Sequence, residues 1–375
     1  MNIRELLEHP SLQLPITRNS DDFQGFVESL LSRYTTLLDS FSDPHDVASA
    51  VSARRKDIET FCSKAPEIVR ATFAGHPQDA YQSFVEGIEP LRDIVAKHAL
   101  KGLAHSELGL MYRVRRELKS PLTREDLFHI PFEKRHLVAT QRYSIPGLPC
   151  IYLGGSLFTC WAEMGRPPFH ELHASAFWLD KDHKITILNL SNRPKRLFFY
   201  TSPDGQLPDQ PEIRELLTSF LILWPLVALC SIIVKYPQAP YKPEYIIPQI
   251  VLQWITKQDD YDGICYFSTH VNAVTTDNPL SPCNLVFPAR NIASEGRCHH
   301  LRMRLRMTTP HNWQLLSAIN AGAGGTQIWN YDFEFVEGIK EPYANTEFGR
   351  VQSKLNKLVF DAWRNAANNE GQVLP

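Results

Sequence analysis

The chain has 375 residues, 43% hydrophobic and 21% charged, with a formal net charge of −2. That length suits two domains or one large domain with an appended lobe, and the composition is that of an ordinary globular protein. The near-neutral balance argues against a surface built to bind nucleic-acid phosphates, which carries a strong positive excess. Seven scattered cysteines, odd in number and without a CxxC pair, do not make a disulfide framework. Together with an N-terminus (MNIRELLEHPSLQL) that lacks an apolar signal-peptide core, they point to the reducing cytoplasm.

Residues 1–100 read as helical. Asn19-Ser20-Asp21-Asp22 caps a helix over Phe23–Phe41, in which Phe26, Val27, Leu30, Leu31, Tyr34, Leu37 and Leu38 recur at three- and four-residue spacings. Ser42-Asp43-Pro44 opens a second helix with Val47, Val51, Ile58 and Phe61 as its stripe. Gly75-His76-Pro77 separates a third, carrying Tyr81, Phe84, Val85, Ile88, Leu91 and Ile94. These amphipathic helices are expected to pack as an all-α N-terminal bundle over residues 1–104, a structural or partner-binding lobe without a catalytic constellation.

The helical period stops near Lys101–Leu110, and Met111–Arg115 alternates as a strand does. Thr123-Arg124-Glu125-Asp126 reads as a helix cap. The stretch Gln141–Glu163 then runs from a Pro/Gly turn through an apolar strand, Cys150–Leu153, past a Gly-Gly break into a helix beginning near Ser156. It places Arg142, Tyr152 and Glu163 at spacings of ten and eleven residues. A cation, a phenol and a carboxylate are the side chains that a pocket for an anionic, aromatic ligand needs. Strands are expected over Ala174–Leu179, Ile185–Leu190, Asp262–Ser268 and Asn284–Pro288. The last two are joined by a polar loop with Asn272, Thr275, Asp277 and Asn278. Residues 193–212, with four prolines, read as loop. Helices are expected from about Glu244 to Lys257 and over Val351–Asn365.

Leu216–Val234 is nineteen residues without a charge, long enough for a membrane span. Pro225, the embedded Thr218, Ser219 and Ser231, and the lack of a second span favour a buried core helix, broken near Pro225. A single span would also separate Arg142 and Glu163 from Ser268 across the bilayer. The glycines of Asn320–Gln327 lack the Lys-Ser/Thr of a phosphate loop, and Cys298-His299-His300, like His170 and His173, lacks the second ligand group of a metal site, so no metal is expected. Gly154-Gly155-Ser156 is not a nucleophile elbow, and no GxGxxG follows a strand.

Four pieces in order resemble the RES domain, named for its arginine, glutamate and serine. They are YRVR at 112–115, RYSIPGLPCIYLGGSLFTCWAE at 142–163, DGICYFS at 262–268 and NLVFP at 284–288, and the resemblance covers residues 110–290. It implies an α+β fold with an ADP-ribosyltransferase-like mixed β core, a catalytic domain over residues 105–300, and a C-terminal extension over 301–375 packed on it. It implies an enzyme that consumes NAD as substrate, with no cofactor, as a toxin often paired with an antitoxin. The family's residues carry over to Arg142, Glu163 and Ser268, and less firmly to Tyr152, Arg113 and Tyr112. The long N-terminal lobe, the long insert between Glu163 and Ser268, and the C-terminal extension depart from compact RES toxins. They leave room for an inhibitory antitoxin or another regulatory protein on the helical lobe, and for a homo-oligomer.

The chemistry suits a single carboxylate. The nicotinamide of NAD is already a cationic pyridinium and leaves neutral, so no general acid is needed, and one carboxylate can stabilise the oxocarbenium-like ribose. Glu163 fits that role, and Arg142 or Arg113 fits the diphosphate through a planar fork. Tyr152 could stack on a ring, and Ser268 could bond a ribose or the carboxylate. Plainer readings stand beside each: a solvated helix charge, surface ion pairs, a core tyrosine, a strand-end serine. The acceptor of ADP-ribose stays open between water, phosphate and a protein, which leaves glycohydrolase, phosphorylase and mono-ADP-ribosyltransferase as enzyme readings. A nucleotide-binding interaction protein and a membrane-attached protein are the alternatives outside catalysis.

Overall fold

The computed structural model describes residues 1–43, 46–101, 109–118, 121–180, 183–271, 282–319, 332–336 and 339–370. The principal helices in chain order are α1 (Phe23–Asp39), α2 (Val47–Ala53), α3 (Arg55–Phe73), α4 (Pro77–Ile88), α5 (Leu157–Glu163), α6 (Pro211–Cys230), α7 (Ile246–Thr256) and α8 (Glu347–Glu370). The principal strands are β1 (Met111–Arg116), β2 (Cys150–Gly154), β3 (Leu172–Leu179), β4 (Thr186–Leu190), β5 (Gly263–Phe267), β6 (Cys283–Pro288), β7 (Leu305–Met307) and β8 (His311–Asn312). The chain is α+β, with parallel and antiparallel pairing, as the sequence implies. It divides into two compact units: residues 1–100, 139–146 and 186–269 form the first, and 101–138, 147–185 and 270–375 the second.

In the first unit, Asp22 caps α1 by accepting from the Gly25 N–H at 2.9 Å. The single second helix expected from Val47 to Phe61 is instead two, α2 and α3, because the backbone leaves helical geometry at Arg54 (φ −103°, ψ 9°). Aromatic edges lock the bundle, with Phe61 on Phe84 at 6.4 Å and Phe84 on Trp254 at 6.2 Å. The apolar run becomes α6, a core helix with 72% of its most apolar window buried. It is not broken at Pro225 but continues to Cys230. Pro225 has no N–H to give the carbonyl four residues back, and the Tyr34 hydroxyl supplies the missing donor to Leu221. Residues 193–212, expected as loop, contain a short helix at Pro194–Leu197, where Pro194 occupies the first turn and needs no N–H partner. A buried ion pair, Arg18 to Glu244 at 2.7 Å, also accepts the Lys235 N–H and pins the segment leading to α7. Strands β4 and β5 pair in parallel, with Leu188 opposite Ile264.

The second unit is an antiparallel sheet in the order β6-β2-β1-β3-β7, with β8 also pairing to β3. Alternate residues of β1 and β3, namely Tyr112, Val114, Leu172, Ala174 and Ala176, face one way into a core closed by α5 and α8. That core holds Leu157, Phe158 and Cys160 from α5, and Phe348, Val351, Leu355 and Val359 from α8. The polar loop with Asn272, Thr275, Asp277 and Asn278, the glycines of 320–327 and most of the 101–110 boundary lie outside the described residues.

Candidate functional site

The seat of Glu163 is built by a close approach of helix to strand. Ser156 caps α5 through its hydroxyl, 3.2 Å from the Thr159 N–H, as a helix start after a Gly-Gly break requires. Gly154 lets α5 settle on β2, since a Cβ there would stand 2.6 Å from Cys160 Sγ. Seven residues after Ser156, the helix ends at Glu163, whose side chain reaches solvent. Asn284 on β6 donates from Nδ2 to Glu163 Oε1 at 2.8 Å, and His270 Nε2 stands 4.0 Å from Oε2. Burial pushes the nearby Cys160 thiol up to about 12, which leaves no thiolate to act as a nucleophile.

The other residues of this unit are distributed around β1. The pairings Tyr112 to Gly154 and Gly154 to Asn284 place Tyr112 on the face that carries α5. Its hydroxyl donates to Asn356 Oδ1 of α8 at 2.6 Å, and the residue is 2% exposed. Tyr112 is thus a core residue whose polar tip is engaged by the C-terminal helix. Arg113, opposite Ser175 of β3, lies on the other face of the strand, so Arg113 and Glu163 do not share a face. Its Nη1 is buried with no hydrogen-bond partner, and burial, with Arg115 beside it, holds the guanidinium down to about 10. Tyr152, opposite Val286 on β2, is half-buried.

Arg142 and Ser268 belong to the first unit. Arg142 Nη1 donates to the carbonyls of Cys230 (3.1 Å) and Ile232 (3.0 Å), and Nη2 to Thr269 Oγ1 (3.3 Å). Its guanidinium also sits 5.3 Å from the Tyr245 ring centroid. The arginine therefore closes the C-terminal end of α6, where unpaired carbonyls and the helix dipole both favour a cation. Ser268 follows β5, buried, next to the threonine that Arg142 holds.

Reading the sequence singled out Glu163 but neither residue beside it. In the sequence Asn284 opens the NLVFP strand and carries no assigned role. The available signal was an amide opening an otherwise apolar run, since a buried side-chain amide needs a partner. His270, two residues beyond Ser268, had no such signal.

Fold and site together define an α+β protein with one exposed, hydrogen-bonded carboxylate at a helix end. The chain is 31% identical, over 348 residues, to the "Putative toxin YopC" of Bacillus subtilis (strain 168), a match covering 91% of this chain and 78% of that protein. It belongs to that protein's family. No family model and no solved structure matches it.

Proposed function

We propose that this chain is a toxin of the RES type that cleaves the nicotinamide–ribose bond of NAD. The observation that carries the reading is Glu163. Asn284 engages one of its oxygens, and the side chain stays open to solvent at the end of α5. A single carboxylate held in this way is what the reaction asks for. The C1′–nitrogen bond breaks, its electron pair leaves with neutral nicotinamide, and the carboxylate offsets the positive charge that develops on the ribose. Water or phosphate then attacks C1′, and loss of a proton completes the glycohydrolase or phosphorylase turnover. The relative that bears the name "Putative toxin YopC" supports the biological role, and the RES resemblance assigns the diphosphate to Arg142 or Arg113 and a ribose contact to Ser268.

The test is incubation of purified protein with NAD, following free nicotinamide by chromatography, with Glu163→Ala as the control. Release by the wild type and none by the variant is expected. No release at high protein concentration overturns the reading, and label from NAD retained on a protein band reassigns the acceptor from a small molecule to a protein. In cells, induced expression is expected to deplete NAD and arrest growth, and Glu163→Ala to relieve both.

A further inference from the structure

We propose that Asn284 is a positioning residue for Glu163, pinning Oε1 through its amide so that the carboxylate holds one orientation toward the ligand. The inference rests on the NAD-cleaving reading for its substrate but on geometry for the role itself. Asn284 is 6% exposed in a strand whose next three residues, Leu285, Val286 and Phe287, are all buried. An amide in that setting is costly unless its hydrogen-bonding groups are used, and Nδ2 is used on Glu163 at 2.8 Å.

The register makes the contact possible. Asn284 lies opposite Gly154, the residue whose missing Cβ admits Cys160 of α5. The same close approach that seats the helix on β2 brings its last residue over β6. Glu163 also occupies the wrong end of a helix for a carboxylate, because the unpaired carbonyls there carry partial negative charge. A bond that serves stability alone has no need of an anion at that position. One that aims a carboxylate does, and the Asn284 N–H offsets the unfavourable field.

Two variants separate aiming from packing. Asn284→Ala removes the donor. Asn284→Asp keeps the shape but sets a second carboxylate against the first, so near neutrality the pair repels. In acid the pair takes up one proton, and the aspartic O–H then replaces the amide as donor. With NAD as substrate, Asn284→Ala is expected to lower kcat by about ten- to a hundredfold, the loss seen when partners that orient metal ligands are removed. KM should change less than about threefold. Asn284→Asp is expected to be inactive at neutral pH and to recover activity toward acid, a profile that lost packing alone does not produce. Wild-type kcat in Asn284→Ala, or an Asn284→Asp profile that tracks the wild type, overturns the proposal.

If the wild type releases no nicotinamide, the substrate reading falls, and growth arrest on induction becomes the readout for the same variants. Undiminished arrest by Asn284→Ala overturns the positioning role. Arrest lost in both Asn284→Ala and Glu163→Ala, with both variants folded at the growth temperature, upholds it.

Discussion

The Tyr34 hydroxyl donates to the backbone carbonyl of Leu221, the one carbonyl in the middle of α6 that Pro225 deprives of its helical N–H. The tyrosine ring also stacks on Trp224, with centroids 4.3 Å apart and planes 21° apart. Tyr34→Phe keeps the stacking and removes only the donor. The buried Leu221 carbonyl is then unsatisfied, and stability should fall by about 1–3 kcal/mol in denaturant titration. Pro225→Ala gives Leu221 back an intrahelical donor, so Tyr34→Phe is expected to cost much less in that background. Equal costs in both backgrounds would show that the hydroxyl does not compensate for the proline.

That pairing also shows what a local reading of the chain can reach. By length and composition the apolar run 216–234 suits a membrane span as well as a core helix, and Pro225 with the embedded Thr218, Ser219 and Ser231 favours the core. At Pro225 the missing donor is supplied by a side chain 187 residues before Leu221 in sequence, which no local pattern reveals. The turn, strand and helix around Glu163 were legible because their signals are local: Ser156 as a cap, Gly154 before it, apolar residues through Cys150–Leu153. Asn284 and the helix-end role of Arg142 were not, because each depends on a partner brought in by the fold, Glu163 in one case and Cys230 in the other. Splitting α2 from α3 at Arg54 was invisible to periodicity, since the apolar spacing continues across the break.

Buried histidine makes the first unit sensitive to acid. Burial pushes His98 from 6.5 down to about 4, and its Nε2 lies 3.1 Å from Asn192 Nδ2, an arrangement in which the neutral ring accepts the amide N–H. The unfolded chain takes up a proton near pH 6.5, while the folded chain resists until about pH 4. The unfolded state therefore binds more protons in that window, and stability falls as the pH drops through it, by about 3 kcal/mol in all. Denaturation followed between pH 7 and pH 4 should show this slope, and His98→Gln, which cannot titrate, should flatten it by about one proton. An unchanged slope would mean that His98 is not buried neutral.

Arg142 is expected to differ from Glu163 in what its loss does. Arg142→Ala frees two carbonyls at the end of α6 and the Thr269 hydroxyl. Part of its effect should therefore be structural, about 1–2 kcal/mol in unfolding experiments. Arg142→Lys keeps the charge and could reach the carbonyls that Nη1 holds, but it lacks the second nitrogen that bonds Thr269, so it should recover only part of the loss. Glu163→Ala leaves the buried Asn284 amide without its acceptor but takes an anion from the unfavourable end of α5, so its cost in unfolding should be no more than about 1 kcal/mol. Activity lost in Arg142→Ala at temperatures where it remains folded would then report on the ligand. A midpoint equal to wild type would show that Arg142 does not close the helix.

Gly154 ties the fold of the second unit to the aim of its carboxylate. A methyl group at Gly154 would meet Cys160 Sγ at 2.6 Å, Ser156 O at 3.2 Å and the Cys160 nitrogen at 3.3 Å. The sulfur is held where it is by donating to the Tyr112 carbonyl at 3.2 Å, so α5 must move away from β2 to make room. Gly154→Ala is therefore expected to destabilise by about 1–3 kcal/mol, as overpacking of a filled site does. It should also lower activity, because lifting α5 carries Glu163 off Asn284. Cys160→Ala added to it removes the tightest contact and should restore most of the stability, leaving only the two backbone contacts to accommodate. If Gly154→Ala leaves both unfolding midpoint and turnover at wild-type values, the helix is not seated by this contact, and the position of Glu163 must be set from its other end.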